Sequence, residues 1–387
     1  MTNNNDKKVL NVPLLRFPEF TEEWKEHCLA EYLDFKNGLN PSANKFGSGI
    51  KFISVMDILN NNFITYDCIR TSVKITPEEQ VAFAVEKGDM LFQRSSETLE
   101  DVGRANVYMD ENPAVFGGFV IRGKKKTEYN PMFFRYLLAS PYARKKIIPM
   151  GAGAQHFNIG QDGLSKVKLH FPILQEQQKI AALLRLIDER ITTQNKIIED
   201  LNKLKSAISE CIFNSIKGDV VMLSEICDIV KGKQINGEYL SESGEYYVMN
   251  GGTEPSGYYS EYNVKANTIS ISEGGNSCGY VQFNNFPFWS GGHCYSLQNI
   301  ADIVDNLYLY HYLKSKEEAI MKLRIGSGLP NIQKKDLAMF KTIVPPFEQQ
   351  ITISTFLSSL ERKAEIEERI LNVMQKQKLY LLQQMFI

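Results

Sequence analysis

The two halves of this sequence close in the same way. Residues 151–216 and 326–387 each run from a Gly-x-Gly turn, through Asn-Ile and a proline, to Glu-Gln-Gln and then a long heptad-like segment. A duplication of this size confines the chain to a repeated architecture and has to be explained before any single motif.

The heptad segments match position by position. Apolar residues fall at Leu184, Ile187, Ile191, Ile198, Leu201, Ile208 and Ile212, and at Leu357, Leu360, Ala364, Leu371, Met374, Leu381 and Met385, at a constant offset of 173. Alternating steps of three and four residues put these groups on one stripe of a helix, the seam of a coiled coil. The polar interruptions also coincide: Gln194 shares a seam position with Glu367, and Lys205 shares another with Lys378. Unrelated amphipathic helices would rarely break their stripe at the same two places, so the segments read as copies of one element.

The preceding regions correspond more weakly. Leu29, Glu31, Asp34 and Gly38 align with Leu223, Glu225, Asp228 and Gly232; Gly117-Gly118 aligns with Gly291-Gly292, and Tyr136-Leu137 with Tyr312-Leu313. The changing offset implies loops of different length on one framework. The expected organisation is a globular domain over 1–174, a long helix over 175–216, a second globular domain over 217–345 and a second long helix over 346–387. The expected fold class is α+β: two twisted, β-rich domains with helices, and two long coiled-coil helices, in a pseudo-twofold internal repeat.

Short segments rich in Val, Ile and Phe at 51–55, 82–85, 89–93 and 114–121 read as strands, and 24–33 and 131–148 as helices. A strand at 166–171 leads through Pro172 into the long helix. The second half repeats the plan, with strands near 246–249, 268–272, 280–283 and 340–344 and a helix over 307–323. Residues 1–11 read as a frayed polar end.

Charge limits the function classes. The chain is at −1 overall, with 22 basic against 20 acidic groups in 1–174 and 11 against 14 in 217–345. Neither domain is a generally basic nucleic-acid binder, so contact with DNA would rest on local clusters or on a partner. The six cysteines form no Cys-x-x-Cys pair and are expected to be reduced. No run of about 18 apolar residues suggests a membrane span, and a cytoplasmic protein is expected.

Motifs for catalysis fail on inspection. Gly118 to Lys125 approaches a phosphate-binding loop, but Lys125 stands where the magnesium-ligating hydroxyl belongs and the spacer reads as a strand. Val344-Pro345-Pro346-Phe347 resembles an amino-methyltransferase signature, yet Val344 cannot hydrogen-bond an amino group, and Phe171-Pro172 holds the same place in the first copy. The five histidines show no metal-ligand spacing. The chain is expected to carry no catalytic site and no metal.

Two variable domains, each closed by Gly-x-Gly, Asn-Ile, Pro and Glu-Gln-Gln before a long helix, resemble the specificity (S) subunits of type I restriction-modification systems. The opening Leu15-Arg16-Phe17-Pro18-Glu19-Phe20, followed by Trp24, also resembles that family's start. The resemblance implies that each globular domain reads one half of a split, asymmetric DNA target. It implies that the two helices pair as an antiparallel coiled coil, set the spacing and dock two modification subunits, with restriction subunits joining them. S-adenosylmethionine, ATP and magnesium would sit on those partners and no cofactor on this chain. A single-chain nuclease or methyltransferase, and a structural coiled-coil protein with two other binding modules, are the competing readings.

Base-reading candidates follow from side-chain chemistry. Gln93-Arg94-Ser95-Ser96 follows a strand and offers a guanine-reading arginine beside amide and hydroxyl groups; Ser272 and Asn276 belong to the segment in the similar place of the second copy. Gln155, His156 and Asn158 lie in the loop before the repeated strand, and Asn250 in a Gly-rich loop of the second domain. Lys45, Lys231 and Lys233 could reach phosphates.

Overall fold

The computed structural model describes residues 11–326 and 330–387; the frayed end expected over 1–11 falls almost wholly outside them, as does Gly328. The chain forms two compact units, Met1–Asn195 with Ile370–Ile387, and Lys196–Arg369. Each unit therefore contains part of both long helices, Leu174–Ser215 and Phe347–Gln384.

The first unit is built on an antiparallel sheet in the order Leu33–Asn37, Val120–Lys125, Met90–Gln93, Ala105–Val107. A smaller sheet sets Phe46–Ile53 between Ser72–Val73, antiparallel, and Val115–Phe116, parallel. A two-stranded ribbon pairs Lys25–Cys28 with Lys168–Phe171. The second unit repeats all three. Its main sheet runs Asp228–Lys231, Cys294–Gln298, Thr268–Ser272, Val281–Asn284. Its small sheet sets Tyr246–Met249 between Tyr258–Tyr259 and Trp289–Ser290, again antiparallel then parallel, and its ribbon pairs Asp219–Met222 with Lys341–Val344. The duplication read from the sequence is thus a duplication of topology.

Paired glycines hold the two sheets of each unit together. A Cβ on Gly38 would lie 2.0 Å from the Gly117 carbonyl oxygen, and one on Gly232 would lie 2.2 Å from that of Gly291. No side chain fits either place. At Gly103 and Gly279 the constraint is conformational, with φ of 68° and 94°.

Several local expectations are corrected. Residues 24–33 are not one helix: Lys25–Cys28 is ribbon strand, only Leu29–Tyr32 is helical, and the main sheet starts at Leu33. Pairing with 168–171 supplies the hydrogen bonds a helix would have made internally. Residues 82–85 are not a strand, because Thr76 caps a helix over Pro77–Ala82, leaving Val85 one isolated bridge to Ala114. The helix expected over 131–148 breaks at Ser140-Pro141, and Ser140 caps the next helix, Pro141–Ile147. Val120–Lys125, the spacer of the near phosphate loop, is an inner strand of the main sheet.

The long helices run antiparallel within each unit. In the first, Leu184 shares a core with Trp24, Phe133, Leu382, Met385 and Phe386, while further along Asp188 meets Lys378. In the second, Phe213 shares a core with Ile353 and Leu357, while Lys205 meets Glu361. Phe386 packs on Phe133 with ring centroids 5.7 Å apart, and Phe213 on Tyr308 at 5.9 Å. Burying each ring contributes about 2 kcal/mol, which fastens a helix end to each domain.

Candidate nucleic-acid interface

The two loop segments singled out in the first domain come together as one structure. Ser95–Ser96 and Phe157–Asn158 form a two-stranded antiparallel ribbon in which Ser95 faces Asn158, and the Ser95 hydroxyl donates to the Asn158 side-chain oxygen. Arg94 stands at its base. Its backbone N–H donates to the Phe119 carbonyl (2.8 Å), its own carbonyl accepts from the Ile159 N–H (2.9 Å), and its guanidinium donates to the Gly118 carbonyl (3.3 Å). Gln155, His156 and Asn158 are exposed, and Phe119 beside them is 68% exposed.

The second unit repeats the backbone of this site with different side chains. The Glu273 N–H donates to the His293 carbonyl (2.9 Å), and the Glu273 carbonyl accepts from the Ile332 N–H (2.8 Å). Gly274 bridges Asn331 as Ser95 pairs with Asn158. The Gln93 carbonyl accepts from Gly103 and the Ser272 carbonyl from Gly279. Arg94 and Glu273 are therefore equivalent positions of opposite charge. This also explains the repeated Asn-Ile: the asparagine pairs with Ser95 or Gly274, and the buried isoleucine, Ile159 or Ile332, ties down the residue before that partner, Arg94 or Glu273.

Glu273 organises the second site. Its side chain is 10% exposed, and it accepts from Lys231 Nζ at 2.6 Å and from the Tyr295 hydroxyl at 3.1 Å, with His293 Nδ1 at 3.7 Å. Burial first, and then this carboxylate, push the Tyr295 hydroxyl well above the ordinary tyrosine range. Asn250 accepts from the His293 N–H at 3.2 Å. Lys233 and Asn276 are exposed.

Two candidates are corrected in role. Gln93 is 5% exposed and its amide nitrogen donates to the Ser95 carbonyl. Ser272 is 4% exposed, and its hydroxyl donates to the Gly251 carbonyl at 2.7 Å. Both end strands in which every residue is buried, so neither face of the strand turns to solvent. Lys231 pairs with Glu273 and keeps a side chain that is 52% exposed. Lys45 is half-buried at the end of a single 3-10 turn, Ala43–Lys45. Glu273 was missed because an acidic residue suggests little affinity for DNA, and only its equivalence to Arg94 marks it.

Every proposed seam residue is buried or half-buried. Leu184 and Leu357 are the deepest and also belong to the domain cores; Leu381, Leu360 and Ile208 pack against those cores. Ile187, Ile191, Ile198, Leu201, Leu371 and Met374 are half-buried, Gln194 is buried, and Glu367 is half-buried. The matched lysines form equivalent interhelical ion pairs. Lys378 Nζ lies 2.5 Å from Asp188, which also accepts from the Tyr136 hydroxyl (2.8 Å); Lys205 Nζ lies 3.4 Å from Glu361, which accepts from the Tyr310 hydroxyl (3.1 Å). Each links two helices to its own domain.

The start of each long helix is fixed by a buried glutamine. Gln177 donates to the Pro172 carbonyl (3.0 Å) and accepts from the Asn130 N–H (3.0 Å); Gln350 donates to the Pro345 (2.8 Å) and Ile303 (2.9 Å) carbonyls and accepts from the Asp305 N–H (2.8 Å). Their offset is 173, so the two Glu-Gln-Gln triplets are out of register by one residue. Glu176 is buried against Arg16 and Trp24, whereas its equivalent, Gln349, is exposed. Asn130 and Asp305 cap the preceding helices, which sets Tyr136 opposite His311 rather than Tyr312.

One framework built twice, two loop sites differing in charge, and helix segments shared by both units define a two-headed recognition protein. The family model for the type I restriction modification DNA specificity domain matches residues 21–203 and 217–376, one match per repeat. The chain belongs to this family and carries two target recognition domains, as a DNA-recognition subunit of the type I class. It is 24% identical over 389 residues to the "Putative type I restriction enzyme MjaX specificity subunit" of Methanocaldococcus jannaschii, covering 91% of this chain and 90% of that one. It is 27% identical over 199 residues to the type I restriction enzyme HindI specificity subunit of Haemophilus influenzae, over 49% and 41% of the two chains. The crystal structure of the S subunit from M. genitalium shares the fold, with a TM-score of 0.65 at 18% identity over 97% of this chain and 99% of that one. Among the described residues, no helix is long and apolar enough to cross a membrane.

Proposed function

We propose that each target recognition domain reads one half of a bipartite, asymmetric DNA sequence, and that the paired long helices set the distance between half-sites and dock two modification subunits. The observation that carries this reading is the equivalence of Arg94 and Glu273. One backbone site holds a cation in the first domain and a carboxylate in the second, so the two heads present different chemistry through the same geometry. Arginine suits guanine O6 and N7, and a carboxylate suits the cytosine amino group directly or, as here, fixes a neighbouring lysine and histidine.

The base-reading set in the first domain is Arg94, Ser95, Ser96, Gln155, His156 and Asn158, and in the second Lys233, Asn250, Asn276 and the groups that Glu273 orients. Lys45 would reach phosphate. Exposed apolar residues on the long helices, including Ile197 (43% exposed) and its equivalent Ile370 (38%), would be covered by the modification subunits. Methyl transfer, and cleavage with restriction subunits, would use S-adenosylmethionine, ATP and magnesium held by those partners in the cytoplasm. This chain would supply recognition without a catalytic site.

Sequencing methylated bases in cells co-expressing this chain and its modification subunits tests the reading. A split motif is expected, and exchanging the second domain for that of another specificity subunit should change one half only. Absence of any sequence preference in the assembled complex would refute it.

A further inference from the structure

A cleft of about 410 Å³ in the first unit is lined by three arginines that the reading above does not use. Arg135 comes from the helix Pro131–Ala139, Arg144 from the helix Pro141–Ile147, and Arg104 from the turn before the strand Ala105–Val107. Glu100 is the acidic residue that lines the cleft with them. At about 30 Å³ per water, the cleft can hold a hydrated phosphate group.

The three arginines are paired unequally. Arg104 pairs with Asp101 at 2.6 Å. Arg135 approaches Asp188 only to 3.7 Å, and that carboxylate already has Lys378 at 2.5 Å. Arg144 has no carboxylate: its Nη2 donates to the carbonyls of Glu100 (2.8 Å) and Val102 (2.6 Å). Burial, and then the neighbouring Arg104 charge, push the Arg144 guanidinium down to about 10. Arg135 Nε and Arg144 Nη1 are buried with no hydrogen-bond partner. Unmet guanidinium donors beside a part-buried cleft are costly unless an anion answers them.

The framework does not require these side chains. Arg104 follows Gly103, and Tyr280 follows the equivalent Gly279; the helix caps Asn130 and Asp305 set Arg135 opposite Tyr310. The second unit thus builds the same fold with tyrosines at two of the three places.

We infer that the Arg104, Arg135 and Arg144 cleft is a binding site for a phosphate-type oxyanion. Guanidinium forks match that geometry, and the site is specific to the first unit. The anion is either a backbone phosphate of the DNA or a free phosphate, and the test separates the sources.

Inorganic phosphate is titrated into the full chain against chloride at matched ionic strength, following heat of binding and hydrogen exchange of residues 99–104 and 131–147. Wild type should bind phosphate and show slowed exchange there; Arg104→Ala, whose side chain is 54% exposed and safest for folding, and Arg144→Lys should weaken binding at least fivefold. The salt dependence of DNA binding is then measured for each. A slope smaller by about one in Arg104→Ala assigns the anion to the DNA backbone, and an unchanged slope beside lost phosphate binding assigns it to free phosphate. Equal phosphate responses in wild type and both variants, or no response in any with unchanged slopes, would overturn the inference. Failure of the DNA-specificity reading would show separately, as wild type without sequence preference.

Discussion

Replacing Gln177 by alanine tests whether the repeated glutamine is a structural clamp and which glutamine of each triplet does the clamping. Gln177 is 3% exposed and makes two hydrogen bonds, both to backbone groups outside its helix. Its loss strands the Asn130 N–H and the Pro172 carbonyl, at about 1 to 3 kcal/mol for each buried group left unpaired. Allowing for partial solvation through the cavity, the cost is about 3 kcal/mol, and about 4 kcal/mol for Gln350→Ala, which loses three bonds. At about 2 to 4 °C per kcal/mol for a domain of this size, the unfolding midpoint of the affected unit should fall by about 6 to 12 °C for Gln177→Ala and about 8 to 16 °C for Gln350→Ala. Calorimetry measures the shift, and hydrogen exchange by peptide locates it: Gln177→Ala should loosen the first unit alone and Gln350→Ala the second alone. Gln178 and Gln349 are exposed, so alanine there should cost under about 0.5 kcal/mol. If Gln178→Ala proved as damaging as Gln177→Ala, the register at offset 173 and the clamp would both be wrong.

The interhelical ion pairs should be unequal. Asp188→Ala strands Lys378 and the Tyr136 hydroxyl around a carboxylate that is 7% exposed and should cost about 3 kcal/mol, whereas Lys205→Ala, in a pair with both side chains 32% exposed, should cost under about 1 kcal/mol; urea denaturation compares them. Burial pushes the His311 imidazole down to about 4 from an ordinary 6.5. A neutral histidine of this kind contributes stability that is present above pH 6.5 and is lost as pH falls towards 4, by about 3 kcal/mol in all. Melting of the second unit at pH 7.5 and pH 5 should show the loss, and His311→Gln should flatten it. Arg94→Ala should relax one base position in one half-site by about 1 to 3 kcal/mol, read by methylation sequencing; an unchanged motif removes Arg94 from the interface.

Sequence alone carried the duplication, because helical periodicity at a constant offset leaves a one-dimensional record. The offset of 173 recovered both long helices and their matched lysines. The matches of Gly38 with Gly232 and of Gly117 with Gly291 were also legible, since positions that exclude a Cβ must stay glycine in both copies. Motifs whose meaning depends on depth were not legible. Glu-Gln-Gln recurs as a string, yet the clamping glutamine is the second of the triplet in one copy and the third in the other, because burial selects by position on the helix rather than by pattern. Likewise Gln93 and Ser272 have the right chemistry for bases, but their strands are covered on both faces, and Tyr136 corresponds to His311 because caps, not residue identity, set the helix register.

Tertiary structure alone could join Ser95 to Asn158, 63 residues apart, place Glu273 where Arg94 stands in the other copy, and gather three arginines around one cleft. Each of these depends on side chains from distant segments meeting at a few ångströms. The local pattern of a sequence fixes which face of an element is apolar, but not which partner that face will meet.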